Sequence, residues 1–430
     1  MLREIGHVTH YRATWALSSC VAVLVGCAPD DAACIEGAQL WQSPPTGLLC
    51  VRGDLVVQGR APEELTVLAR VEAIEGSLIV HDNPALAELP AWPALVSIGG
   101  SLSISHNPAL TAVRGFPVLE DLSGGLYVAE NPALVELQLG EGVTAVETAF
   151  ITLNPSLLEL QGLSELTEIA GDFRVTHNAG LLALELPALR EVGGDLLVTE
   201  NPSLRSAELP ALRAAQTLSL VSNASLESLD GFSALETVRA ALIEDNDALE
   251  EIHWTAPGTS WLTITDNAGL ERIDGAPSAL AADGRLHIAL NPALQTVTGF
   301  GAVESLAGLT LEENEALPEL VAFSALARIG DLAVVRNAAF TGSDAWFPAL
   351  AEVSGNFSLY GNASLPPSMV DSLLARITVG AEIRVGDNLG EDTELDPCPW
   401  PEDGICDAAM GWLGRGTELC VIDPEDCGNV

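Results

Sequence analysis

Leu102-Ser103-Ile104-Ser105-His106-Asn107-Pro108-Ala109-Leu110 is the stretch from which the fold can be read, because its residue types recur along the chain at the same offsets. Fourteen Asn mark the recurrences: Asn83, Asn107, Asn131, Asn154, Asn178, Asn201, Asn223, Asn246, Asn267, Asn291, Asn314, Asn337, Asn362 and Asn388, spaced 21 to 26 residues apart. Five residues before each stands Leu, Ala, Phe or Ile, and three before stands only Val, Ile or Leu, from Val80 and Ile104 to Leu359 and Val385. Three after, Leu is unbroken from Leu86 to Leu317. Offsets −5 and −3 differ by two, which places them on one face of a strand. The Asn at 0 falls out of that alternation, at a corner. An amide suits a corner because it bonds backbone groups, and identical amides stacked coil on coil can form a ladder. Pro follows six of these Asn, as in Asn83-Pro84 and Asn291-Pro292, and holds the preceding residue extended. Gly-Gly and Gly-Asp pairs before the strands, such as Gly99-Gly100 and Gly194-Asp195, read as the next turn. Each repeat is expected to be strand, corner, short strand, turn.

One such coil cannot fold alone. Roughly five buried aliphatics contribute about 1.5–3 kcal/mol each, against a backbone ordering cost of about 1–2 kcal/mol for each of some 23 residues. Stacking removes far more surface and pairs the strands in parallel, so stability belongs to the array. The expected fold is mainly β, a parallel β-solenoid of about 15 coils of about 23 residues, roughly 70 Å long at about 4.8 Å per strand spacing.

The pattern Leu-x-Ile-x-x-Asn-x-x-Leu-x-x-Leu resembles the receptor L domain, the solenoid of insulin- and EGF-type receptor ectodomains. The resemblance covers about 340 residues and recurs fourteen times. It implies a right-handed coil. It differs from the leucine-rich repeat proper in having the aliphatic three residues after the Asn, not two. Receptor L domains contact protein ligands, but each has fewer coils than this uninterrupted array, so the resemblance implies the fold and not the receptor activity.

The amino terminus reads as an export signal, with Arg3 and Arg12 ahead of an apolar stretch from Ala13 to Val25 that is too short to span a bilayer stably. Leu24-Val25-Gly26-Cys27 resembles the bacterial lipobox, which implies lipidation at Cys27, localisation at the cell envelope, the outer membrane or cell surface being expected, and membrane attachment through lipid alone. Six further Cys flank the repeats and none lies within them: Cys34 and Cys50 before, Cys398, Cys406, Cys420 and Cys427 after. In an oxidising compartment these read as disulfides stapling the ends. Cys34 with Cys50 is the first pair; the other four leave three connectivities open. The organisation expected is a signal peptide (1–26), a short tether (27–33), an N-terminal disulfide cap (34–52), the solenoid (53–390) and a Cys-rich C-terminal cap (391–430). The segment Cys398 to Asp407, with Asp423 to Cys427, is similar to a Notch-type cysteine repeat. That resemblance implies calcium ligands at Asp403, Asp407, Asp423 and Asp426, but such a repeat has six Cys and this segment has four. A plain disulfide-stapled cap is the competing expectation. No other cofactor is implied.

Sixty acids against 18 bases, every base an Arg, give a net charge of −42. Phosphate binding needs a basic footprint, so nucleic acid is excluded as a partner class. The charge also opposes association between like molecules, and a monomer is expected. With −5 and −3 inward, −4 and −2 face solvent on the main sheet. Those positions include Ile79, His81, Ser103, Tyr127, Phe150, Thr152, Arg174, Thr176, Leu197, Thr199, Leu242, Thr265 and Tyr360, and only Arg174, Glu244, Glu312 and Arg384 are charged. A near-neutral face on so acidic a chain is where a protein or glycan ligand would dock, with Tyr127 and Phe150 as anchors. The competing view is that parallel strands simply favour β-branched and aromatic residues on both faces. Immediately before the Asn, seven of fourteen positions are acidic, among them Asp82, Glu130 and Glu313; such a column reads as a solvated edge before it reads as a cation site.

An enzyme is the rival class, since β-helices carry polysaccharide lyases and hydrolases. Carboxylate pairs abound here, which makes any one pair uninformative. His81, His106, His177, His253 and His287 fall on different coils, and no nucleophile elbow, zinc-protease helix or phosphate loop appears. The expectation is a non-catalytic surface lipoprotein that presents a recognition or adhesion sheet, with a passive envelope spacer as a third alternative.

Overall fold

The structure, a computed structural model, describes residues 34–42, 46–343 and 346–388. These residues wind into a β-solenoid of about 15 turns with a spacing of about 23 residues. Each coil lends one strand to a main parallel column that begins Leu55–Gln58, Leu78–His81, Leu102–Ser105, Leu126–Ala129 and ends Phe357–Tyr360, Ile383–Gly386. Pairing is in register one coil at a time: Leu78 faces Leu102 and Val80 faces Ile104, Leu126 faces Ala149 and Val128 faces Ile151. The offsets −5 and −3 point inward throughout, because they carry the aliphatics that adjacent coils bury against one another.

The coil has three sides, one more than the repeat read from sequence. A second column of short strands runs from Cys34–Glu36 and Leu49–Arg52 through Ser97–Ile98 and Asp121–Leu122 to Thr378–Val379. A third, discontinuous one includes Glu88–Leu89, Ala112–Val113 and Glu136–Gln138, and resumes as Glu251–Trp254, Arg272–Gly275 and Thr296–Gly299. From Ala214–Val221 to Arg328–Val335 the second-side and main-side strands merge into single strands that run through the corner. The two columns there form one bent sheet, and every partner still lies one coil away.

The corner itself is a backbone feature. The residue before each Asn adopts left-handed φ: Asp82 at 53°, His106 at 54°, Glu130 at 55°, and so on to Asp387 at 51°, with Gly361 at 69° before Asn362. A non-Gly residue rarely takes this conformation, so the turn is held in place by the hydrogen bonds of the adjoining Asn. Asn107 shows how. Its backbone N–H and its Nδ2 both donate to Oδ1 of Asn131, at 3.1 Å each, and Nδ2 also donates to the carbonyls of Ser105 at 2.9 Å and of Val80 in the preceding coil at 3.1 Å. The backbone N–H to Oδ1 step repeats from Asn83 to Asn362, whose acceptor is Asn388. All fourteen Asn are buried. In the first coil Arg60 occupies the Asn offset and begins the row, its N–H donating to Asn83 Oδ1 at 3.1 Å.

Gly99 and Gly100 lie outside the left-handed region. They are glycine because the coils approach too closely for a side chain: a Cβ at Gly99 would sit 2.4 Å from the Glu75 carbonyl oxygen, and one at Gly100 would sit 2.8 Å from backbone of Gly76. The interior is mainly Leu, Ile and Val, with a file of aromatics at one corner, where Phe300 stacks on Phe323 at 5.0 Å and 11°. At the N-terminal end Leu65 and Leu68, from the 3-10 run Pro62–Arg70, pack into the same core. At the other end the inward residues of the last described coil, Ile383 and Val385, are 52% and 46% exposed.

Candidate binding face

The outward residues singled out from sequence are brought into two adjoining rows. Tyr127, Phe150, Arg174 and Leu197 are consecutive partners along the −4 row, and Thr152, Thr176 and Thr199 along the −2 row. Tyr127 meets Phe150 edge-on, with centroids 5.4 Å apart and planes at 80°. The Arg174 guanidinium lies 4.9 Å above the Phe150 ring and is held by Asp172 at 2.7 Å. The Tyr127 hydroxyl and Thr148 Oγ1 are 3.0 Å apart, and Thr152 and Thr176 share a hydrogen bond of 2.8 Å. The rows are half-buried except for Arg174, which is exposed. Phe150 is therefore flanked on both sides along the sheet and offers its outer edge, not an open ring face.

Beyond Leu197 and Thr199 the same offsets behave differently. Ser219, Leu242, Glu244, Thr265, Ala289, Glu312, Ala333, Val335, Ser358 and Tyr360 are buried, although their parity places them outward as the sequence indicated. Alternation alone led to the expectation that this half meets solvent, and these burials correct it. One of the outward charges, Glu312, joins two corner residues in a largely buried cluster: Arg336 donates to Glu312 and, at 2.7 Å, to Glu313, with only 3% of the Glu312 side chain exposed. Burial works against the guanidinium charge, yet the two carboxylates hold the Arg336 pKa above its ordinary value. His287, half-buried by surface area, has its Nε2 enclosed and without a hydrogen-bond partner among the described residues. Burial pushes its imidazole down to about 4. Glu312 in an otherwise near-neutral row was the only outward-facing sign of this cluster in the sequence.

The acidic positions before the Asn occupy the left-handed corners. In part they pair with histidines one coil away, His106 with Glu130 at 3.0 Å and His177 with Glu200 at 2.9 Å. His253 sits on the third side beside Glu251 at 3.3 Å. The five histidines are not gathered into one site.

Cys34 and Cys50 are direct partners across neighbouring strands, and Cys50 Sγ lies 4.0 Å from Glu75 Oε1. The two sulfurs and a Glu75 oxygen all fall within 4.8 Å of one another. Adjacent partners of this kind suit a disulfide, and the same thiolate-carboxylate set would suit zinc. Cys27, Cys398, Cys406, Cys420, Cys427 and the acids Asp403, Asp407, Asp423 and Asp426 lie outside the described residues. Among the described residues no helix is long and apolar enough to cross a membrane. Neither family models nor curated proteins give a match to this chain.

Proposed function

We propose that this chain is an exported, lipid-anchored surface protein of receptor L-domain type that recognises a protein ligand through the open half of its main sheet and performs no chemistry. The observation that carries this is the in-register strip Tyr127, Phe150, Arg174, Leu197 beside Thr152, Thr176 and Thr199. On a chain of net charge −42 it is a near-neutral, aromatic-anchored surface on a rigid sheet. Aromatics with an adjacent Arg are the residues that dominate interface energetics. A protein ligand fits better than a glycan, since sugar stacking needs an open ring face and Phe150 is flanked by its neighbours.

The test is recovery of partners by crosslinking on intact cells, wild type against the double variant Tyr127→Ser, Phe150→Ser. Loss of one crosslinked species with the fold retained supports the proposal. An unchanged pattern rejects this strip, and no crosslinked species at all favours a passive spacer. Turnover of cell-wall glycan that is abolished by a single carboxylate substitution would favour the enzyme instead.

A further inference from the structure

Three groups from successive strands converge at the N-terminal end of the second column, away from the main sheet. Cys34 lies on the edge strand Cys34–Glu36, Cys50 on its neighbour Leu49–Arg52, and Glu75 directly after the next strand, Val71–Ile74. The inward residues of these strands are Ile35, Val51 and Ile74, which stand in register. Alternation therefore turns the flanking Cys34, Cys50 and Glu75 to the other face. The backbone at Glu75 is pinned, since its N–H donates to the Val51 carbonyl at 2.9 Å and that of Gly76 to the Gly53 carbonyl at 3.0 Å. So placed, the two sulfurs and a Glu75 oxygen lie within 4.8 Å of one another, with Cys50 Sγ 4.0 Å from Oε1.

We infer that Cys34 Sγ, Cys50 Sγ and Glu75 Oε1 form a binding site for a borderline-soft divalent cation, zinc first among them. Strand spacing alone would serve a disulfide equally well, because neighbouring Cα atoms about 4.8 Å apart fall within its range. The third group decides. A disulfide makes no use of the carboxylate, and a thiol is a weak donor to it at 4.0 Å. Around a tetrahedral zinc, with sulfur at about 2.3 Å and oxygen at about 2.0 Å, the same three atoms stand about 3.5–3.8 Å apart. Small side-chain rotations reach that arrangement. Two thiolates with one carboxylate select zinc over calcium or magnesium, which take oxygen ligands. Binding releases the two thiol protons to solvent, so affinity falls in acid. Glu75 is exposed, and the fourth coordination position on its side falls to water. The edge strand Cys34–Glu36 is the first of its sheet and pairs only with Leu49–Arg52 among the described residues. The ion fastens it to the two strands behind it and so closes the end of an array whose terminal coil has no neighbour beyond it.

The test is cobalt titration of the intact, reduced protein without oxygen, because cobalt reports its ligands by colour. The expected result is a thiolate-to-cobalt charge-transfer band with the intense visible bands of a tetrahedral site, all displaced by zinc. Cys34→Ser with Cys50→Ser should remove this absorption although the other cysteines remain, and its persistence would place the metal elsewhere and overturn the inference. Glu75→Gln, a change at an exposed position, should keep the thiolate band and weaken cobalt binding at least about tenfold, since loss of even an outer-shell partner does so. Unchanged affinity in that variant would overturn the three-ligand site. A Cys34–Cys50 disulfide found by mass spectrometry in protein alkylated within intact cells would overturn it too, because the bridge consumes both thiolates. None of these readouts involves a ligand for the main sheet, so this inference and the proposed function fail separately.

Discussion

The two halves of the main sheet are built from the same repeat and meet their surroundings differently. Around Phe150 the outward rows are half-buried and their polar groups bond sideways to one another; in the C-terminal half many of the equivalent positions are buried, and an Arg lies between two Glu. The inward aliphatics and the Asn row continue through both. What differs is the course of the strands, which run on through the corner in much of the C-terminal half, and the enclosure of their outward side chains, so the repeat and the surface it carries are separable.

The separation can be broken first at the Asn row, where the largest effect is expected. Asn131→Ala and Asn337→Ala each remove an acceptor for the preceding Asn and a donor for two backbone carbonyls. Each unsatisfied buried group costs about 1–3 kcal/mol, so both variants should lose at least about 3 kcal/mol in denaturant unfolding. Equal losses would confirm that the coils are equivalent in the two halves, and a loss confined to one half would refute it.

Next come the arginines. Arg336→Met strips the guanidinium from a Glu312 side chain only 3% exposed and should cost about 3 kcal/mol or more. Arg174→Met, whose pair with Asp172 is 44% and 30% exposed, should cost under about 1 kcal/mol. Similar losses at the two sites would mean that the C-terminal face is not sealed.

Acid should also discriminate between the halves. His287 has a folded pKa of about 4, below its ordinary value near 6.5. The unfolded chain takes up the proton first as pH falls, so the contribution is fully present above pH 6.5 and is lost between there and about pH 4, by up to about 3 kcal/mol. His287→Gln should flatten that part of the stability curve relative to wild type. A curve of unchanged slope would place His287 in water. The smallest effect on stability belongs to Tyr127→Ser with Phe150→Ser, about 1–2 kcal/mol from half-buried rings, although these changes are the ones expected to abolish ligand capture.

Much of the coil was legible because a solenoid writes the same constraint many times. Offsets −5 and −3 and the Leu three after each Asn fix the inward face, and the constant spacing fixes the parallel register. The third column was not legible, since strands as short as Glu88–Leu89 are too brief for alternation to register. The left-handed corner left little signal either: Asp, His, Glu, Leu, Ser and Arg occupy it in most coils and glycine only at Gly59 and Gly361, because the Asn hydrogen bonds of adjacent coils impose the turn. The glycine pairs were assigned to turns, whereas Gly99 answers to the closeness of Glu75. At the candidate face, parity told which residues point outward. It could not tell which of them are enclosed, since Ser, Leu, Tyr and Thr occur in both halves.

The Asn row has one more implication. From Asn83 to Asn388 each junction passes on the same backbone N–H to Oδ1 hydrogen bond, so duplicating or deleting one whole repeat by recombination would leave a seam of the same chemistry as the others. An insertion of an odd number of residues within a strand would turn its aliphatics outward. Length in such a molecule is inherited in whole units, and its reach can evolve without inventing a new contact.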